Sequence, residues 1–259
     1  MLLLITFTAV FAPLLATHDP LHTDVLQRLQ APSREHWMGT DGLGRDVFSR
    51  VIWGARVSIA VGLSVTIGST AIGVFLGIVS GYFGGKVDLI MQRFVDVLMS
   101  FPLLVLSLLV IAVLGPSTLN VGLTLIIAMC TRPIRVIRGS VIALREETYV
   151  LAARATGAST LRIMMRHILP NVVAPTLVVA SIALGNVILV ESTLSFLGLG
   201  VPPPTPTWGQ MLSLDGRRFF ETSPHLALFP GIALTLVVLA FNLFGDGLRD
   251  LLDPRLRGS

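Results

Sequence analysis

The residues most able to do chemistry in this 259-residue chain are five histidines, one cysteine and a few clusters of charge. His18 and His22 stand four apart beside Asp19 and Asp24, a spacing that on a helix would aim two imidazoles at one transition metal. Pro20 lies between them and argues against that helix, so the segment reads as a solvated loop and no metal site is expected. Cys130 is the single cysteine and sits in an apolar stretch. It rules out an intrachain disulfide, supports neither a redox role nor a zinc site, and reads as packing. Gly84-Gly85-Lys86-Val87 lacks the first glycine and the hydroxyl with which a P-loop cradles phosphate and magnesium. Gly42-Leu43-Gly44 lacks the third glycine of a dinucleotide loop, and neither H-E-x-x-H nor a serine nucleophile elbow occurs. The chain therefore reads as a non-enzyme with no catalytic, metal or cofactor residues of its own.

Two charged regions remain. Asp41, Arg45, Asp46 and Arg50 could cap a pore, contact another protein or pair within a folded loop, and internal pairing is the favoured reading. The second is the long stretch 131–171, with Arg132, Arg135, Arg138 and Arg145 on a helical pattern; it reads as amphipathic rather than transmembrane. Arg56 reads as an interfacial anchor, and Trp208, after the stiff run Pro202, Pro203, Pro204 and Pro206, as another.

The elements that must position these groups are membrane spans. Hydrophobic residues make up 53% of the chain and charged ones 13%, against about 25% charged in ordinary globular domains. With a mean hydropathy of +0.81, this composition calls for an apolar solvent and leaves too little polar sequence for a soluble domain. Apolar runs at 2–16, 57–80, 101–114, 119–130, 176–190 and 227–244 give an all-α integral membrane protein of about six transmembrane helices. It is a single transmembrane domain over 1–259, with core spans at 57–245, outer loops at 17–56 and 191–226, and an inner loop at 131–171. If both termini are cytoplasmic, the inner segments hold twelve of the 19 Lys and Arg, the direction that the positive-inside rule requires. The pI near 10.2 is thus a matter of topology, and no nucleic-acid partner is expected.

Ser69, Gly73, Gly77 and Gly81 recur every four residues in the second run, a small-residue stripe that admits a neighbouring helix closely. Gly115-Pro116-Ser117 reads as a tight turn. No ionisable residue falls in the middle of any run, whereas ion-coupled carriers and channels usually hold such groups inside the bilayer. Asn186 and Asn242 read as interhelical hydrogen-bond partners. An ion-coupled carrier or channel, and a membrane scaffold that moves no solute, stand as the alternative classes to an energised permease.

Within the inner loop, Thr148 opens a short helix, Gly157 allows a left-handed turn, and Ser159 caps a second helix. Ala152, Ala153, Ala155, Gly157 and Ala158 keep the joint small, and Leu169-Pro170 closes the segment. A small-residue knuckle on a basic amphipathic platform suits a groove on another protein. Anionic lipid would explain the arginines about as well, but not the joint or the terminator.

The same stretch resembles the EAA loop of binding-protein-dependent ABC importers, through Ala152-Ala153, then Gly157, then Leu169-Pro170. Leu151 stands where that pattern has Glu, and His167 where it has Ile. Tyr149-Val150, Ala152-Ala153-Arg154, Gly157-Ala158 and His167 to Asn171 are similar to the variant in the dipeptide, oligopeptide and nickel permeases. Gly39-Thr40-Asp41, Gly44-Arg45-Asp46 and Ser49-Arg50 with Gly54-Ala55-Arg56 resemble the first outer loop of the C-type subunit of that family. The stretch 194–203 with Trp208-Gly209, and the tail 245–255, resemble its later segments. The resemblance implies half of a translocation pore in a bacterial or archaeal inner membrane. It also implies a second permease subunit, two ATPase subunits that hold ATP and Mg, and an extracytoplasmic solute-binding protein. The solute class would be peptides or a related small solute such as a nickel complex, glutathione or an opine. ATPase docking would fall to Ala152, Ala153, Arg154, Gly157, Ala158, Leu169 and Pro170.

Overall fold

The computed structural model of the protein describes residues 1–115 and 117–252. The expected turn at Pro116 and the tail motif at 253–255 lie outside these residues. Every described regular element is helical. The chain enters through α1 (Leu2–Val10) and α2 (Ala12–Leu15) and passes through an irregular segment to α3 (Val47–Phe83). There follow α4 (Gly85–Ser100), α5 (Leu103–Leu114), α6 (Thr118–Met129), α7 (Thr131–Leu144), α8 (Thr148–Ala155) and α9 (Thr160–Ile163). The long α10 (Leu169–Phe196), the short α11 (Trp208–Met211) and α12 (His225–Leu252) complete the fold.

All six expected apolar runs are helical. Four continuous stretches are long and apolar enough to cross a membrane: Val47–Phe83, Thr118–Leu144, Thr160–Phe196 and His225–Leu252. The pair α4 and α5, bent by 92° at Phe101-Pro102, supplies up to a fifth. Several boundaries differ from the sequence reading. α3 begins at Val47, inside the expected outer loop at 17–56, because Asp46 caps the helix well before the apolar run starts. α7 continues the line of α6, so the arginine-bearing stretch from Thr131 is the second half of a span-length helix rather than the start of a loop. And α10 runs six residues past the apolar run that ends at Val190, carrying Glu191 inside a span. The expectation of spans without an ionisable side chain fails there: Glu191 is fully buried. Its carboxylate accepts from the Ser195 hydroxyl at 2.7 Å and the Ser192 hydroxyl at 3.5 Å, so both oxygens have partners where water is absent.

α3 is the central rod. Its 37 residues span about 55 Å at 1.5 Å per residue. Asp46 caps its first turn by accepting from the Ser49 amide at 2.8 Å. α7 lies along its second half over the small-residue stripe. A Cβ added at Gly73 would stand 2.3 Å from Pro133 Cβ, at Gly77 2.9 Å from Ile137 Cβ, and at Gly81 2.8 Å from the Arg138 carbonyl. Only hydrogen fits at this seam, and the close backbone approach is the source of the attraction. Ser69, one turn earlier, is buried and donates to the Thr66 carbonyl.

Three further packing centres hold the bundle. Ile59, Leu184, Ile188, Val237 and Phe241 join α3, α10 and α12. Val65, Ile111, Val121, Leu125 and Val187 join α3, α5, α6 and α10. Ile78, Ile137, Val141, Val150, Ile163, Ile168 and Val172 join α3 and α7 to α8, α9 and the start of α10. Phe75, Leu109, Val113 and Leu243 stay exposed on outward faces, as helices solvated by lipid require.

Candidate functional site

The α8–α9 knuckle sits beside the end of α3. α8 starts at Thr148 and reaches Ala155, Gly157 takes φ +80°, and the Ser159 hydroxyl accepts from the Arg162 amide to cap α9. A left-handed φ favours glycine, and a Cβ there would meet nothing within 4 Å, so the position is constrained by backbone angle and open in space.

The knuckle has two unlike faces. Val150 and Ile163 are buried against Ile78, Ile137 and Val141, with Ala153 and Ala158 half-buried on the same side. Burying side chains of this size contributes about 1.5–3 kcal/mol each, which fastens the joint to α3 and α7. Ala152, Arg154, Ala155, Thr156 and Gly157 face outward, flanked by exposed Tyr149, Leu151 and Leu161. Arg154 lies over the Tyr82 ring at 5.8 Å, and Arg145 donates to the Gly81 carbonyl at 3.0 Å; both tie the knuckle region to the end of α3. A π-turn at Met164–Ile168 joins α9 to α10, with Leu169 and Pro170 as the first residues of α10 rather than a stop after a helix.

The arginines of α7 do not form a free basic platform. Arg138 makes a bidentate pair with Asp88 at 2.5 and 2.6 Å, and Arg135 reaches Asp96 at 2.5 Å. Both acids are on α4, and Ser80 and Gln92 extend the Asp88 network. These partners lie 50 and 39 residues away from their arginines, so no local spacing announced them. Arg132 differs: it is exposed and, among the described residues, is the one charged side chain along a cavity of about 450 Å³ between α4–α5, α6–α7 and α10. Phe101, Leu106, Met129 and Val179 make most of that wall apolar, with Asn186 as a polar point. The Asn186 amide donates to the Ile182 carbonyl of its own helix, so it is not the interhelical partner expected from sequence. Asn242 comes close to Gly185 across the α10–α12 contact.

At the far end of α3 the outer cluster is closed on itself. Asp41 accepts from the Leu43 and Arg45 amides, from Arg45 Nε at 2.7 Å, and pairs with Arg50 Nε at 3.4 Å. Arg50, 2% exposed, also donates to the Pro20 carbonyl at 3.1 Å. Asp215, from the segment after α11, approaches Arg45 at 3.8 Å. Burial, and secondarily the Asp41 charge, hold the Asp215 carboxyl above its ordinary 3.8, with Arg45 and Arg50 opposing. Thr40 donates to the Gln27 carbonyl and accepts from the Gln30 amide. Gly39 and Gly44 both take positive φ, and a Cβ at Gly44 would collide with the Asp24 carbonyl. The motif glycines are thus demanded by the way this loop closes.

Trp208 is not the interfacial anchor its position suggested. It is buried, and its indole N–H donates to the Val51 carbonyl at 2.9 Å, beside Gly54. Arg56 does sit at the surface, 5.5 Å from the Trp53 ring. Cys130 is buried and its thiol faces the Ile127 carbonyl.

The structure therefore places the knuckle residues together at one end of α3, the outer motif at the other, and the small-residue stripe between. The comparisons agree on what such a chain is. The family model described as "Binding-protein-dependent transport system inner membrane component" matches residues 73–258. A dipeptide transport system permease protein of Alkalihalophilus pseudofirmus is 45% identical over 96% of this chain and 82% of its own length. A probable D,D-dipeptide transport system permease protein of Escherichia coli K12 is 43% identical over 99% of this chain and 86% of its own. A glutathione transport system permease protein of Pectobacterium atrosepticum is 42% identical over 98% and 85%. Inward-facing structures of the MetNI methionine ABC transporter include a chain with the same fold, at a TM-score of 0.63 and 16% identity, covering 80% of this chain and 97% of that one. By the matched family model and by relatives alike across almost its whole length, this chain belongs to the inner membrane components of binding-protein-dependent transport systems and is a permease subunit of an ABC importer.

Proposed function

We propose that this permease subunit forms half of the pathway for a peptide or a related small solute and takes its energy through the α8–α9 knuckle. The observation that carries the second part is the two-faced joint: one side is locked to α3 and α7 through Val150 and Ile163, the other offers Ala152, Arg154 and Gly157 outward. A small, stiff projection of this kind fits a cleft on an ATPase subunit and passes its displacement into the bundle, because packed helices shift as bodies rather than deform. ATP and Mg belong to two such ATPase subunits. A second permease chain completes the pore, and an extracytoplasmic protein delivers the solute. The knuckle end is cytoplasmic in this reading, with both termini on that side, in a bacterial or archaeal inner membrane.

The names of the relatives support peptides, D,D-dipeptides or glutathione as the solute class. The cavity beside Arg132 and Asn186 is of a size for part of such a molecule. Glu191 lies in a span, so a lack of intramembrane charge does not count against ion coupling; the relatives named above as transport system permease proteins favour the energised permease.

Co-purification tests the reading. An ATPase should be recovered with the tagged chain from membranes and lost on Ala152→Glu, which adds a charge to the outward face without touching the buried one. Recovery of the ATPase with the variant as well as with the parent would remove the knuckle from the interface. ATP-dependent uptake of a labelled dipeptide by vesicles carrying the whole complex then tests the solute class.

A further inference from the structure

The outer segment brings together a set of ligand atoms that the permease function does not use. His18, His36 and Asp46 each present one atom, and all three lie within 4.8 Å of one another. His36 Nδ1 is 2.9 Å from Asp46 Oδ1, and His18 Nδ1 is 3.8 Å from the same oxygen. The two rings lie face to face, tilted by 35° with centroids 4.7 Å apart. His36 and Asp46 are buried, while His18 stands at the rim of a cleft of about 150 Å³ that Asp19, His22 and Glu35 also line.

The hydrogen bonds around the cluster hold these atoms facing one another. With the Gln27 amide oxygen 2.7 Å from its Nε2, His36 directs Nδ1 at Asp46 Oδ1, 2.9 Å away. His18 Nδ1 turns toward the same oxygen and has the Thr17 hydroxyl at 3.0 Å. A divalent ion placed between the three groups would take one atom from each as a ligand.

The surroundings match a metal centre in further ways. The contact from His36 Nε2 to Gln27 is the outer hydrogen bond that fixes the tautomer of a metal-ligating histidine. Asp46 Oδ2 is occupied by the Ser49 amide, which leaves Oδ1 as the ligand oxygen. The His18 amide donates to the Ser49 hydroxyl at 3.0 Å, so the backbone bearing the first ligand is itself held to α3. Separations of 2.9 and 3.8 Å between ligand atoms accommodate bonds of about 2.0–2.2 Å to one ion.

We infer that His18, His36 and Asp46 form a site for a divalent transition ion of the zinc class on the outer face of the protein. Two imidazoles and one carboxylate select such an ion over calcium or magnesium, which take oxygen ligands. The ion joins the segment leaving α2 to the cap of α3, so it clasps the outer segment at its base. Solvent completes the coordination.

The test uses the assembled transporter, stripped with chelator and titrated with Zn2+ alone, with bound metal counted per permease chain. The parent should hold one Zn2+ that His18→Ala loses, while His22→Ala, altered in the same cleft but outside the ligand set, keeps it. Cobalt added in place of zinc should give visible d–d bands in the parent and none in His18→Ala. The His18 side chain is 36% exposed, so His18→Ala is the variant expected to fold where the buried His36→Ala does not. A parent that binds no zinc in excess metal, or a His18→Ala variant that binds as much as the parent, overturns the assignment.

Discussion

The two ends of α3 are built on opposite plans. At the Asp46 end, Asp41, Arg45, Arg50 and Asp215 are drawn into one network in which each charge meets another. At the Gly81 end, the α8–α9 knuckle keeps its polar and small residues outward and buries only one apolar side. A closed network holds its own geometry; an open surface needs a partner to complete it. Under the proposed function, the structural load falls to the first end and the moving contact to the second, although both regions carry arginines and both stand out in the sequence.

The sharpest break in that contrast comes at Gly157. Gly157→Asp should abolish ATP-driven uptake while the quantity of chain in the membrane stays at the parental level. Gly157→Asn, which tolerates a left-handed φ better, should retain part of the activity. Equal loss in both would show that the backbone angle does not decide the outcome, and no loss in either would remove the knuckle from the coupling path.

Next in size is the closed end. Asp41→Asn leaves Arg50 buried without its charge partner, a change that costs about 3–5 kcal/mol in comparable buried pairs. Denaturant unfolding in detergent should register it, whereas the same substitution type at an exposed acid such as Glu146 should register little. Comparable effects at the two positions would dissolve the distinction between the ends.

Between the ends, Gly77→Val drives a side chain into Ile137 and the α7 backbone and should cost about 1–3 kcal/mol. If the α3–α7 seam passes on the knuckle's displacement as proposed, uptake should fall further than stability alone accounts for.

The smallest effect is a pH dependence. Asp215 has a folded pKa raised above 3.8, chiefly by burial, so the folded state holds its proton more tightly than the unfolded state does. Its contribution therefore favours folding at low pH and is lost as pH rises from about 3.8 through the folded titration. Asp215→Asn should flatten the stability profile across that interval. An unchanged profile would show that Arg45 and Arg50 already neutralise the group.

What could be read from the residues alone follows the range of the interaction. The knuckle was legible because its turn, cap and small side chains lie within a dozen positions of one another, and the stripe because a four-residue period is a local signal. The Arg138–Asp88 and Arg135–Asp96 pairs were not, since the partners come from separate helices and share no period. The same holds for His36, which joins His18 only once the outer segment folds back on α3. Glu191 escaped for a different reason: hydropathy ended the run one residue before it, while the helix, supplying hydroxyls from Ser192 and Ser195, carried on. Trp208 shows that an aromatic ring after a proline-rich stretch carries no information about depth until its hydrogen-bond acceptor is known.

The length of α3 gives the molecule a ruler. At about 55 Å it exceeds the hydrocarbon thickness of about 30 Å by almost a factor of two. Its two working ends therefore stand at a separation set by peptide geometry and not by the lipid. Membranes a few ångströms thicker or thinner tilt or stretch around such a rod without changing the span between its ends. An importer built on it can pass from one bilayer composition to another with the knuckle and the Asp46 network held at the same distance.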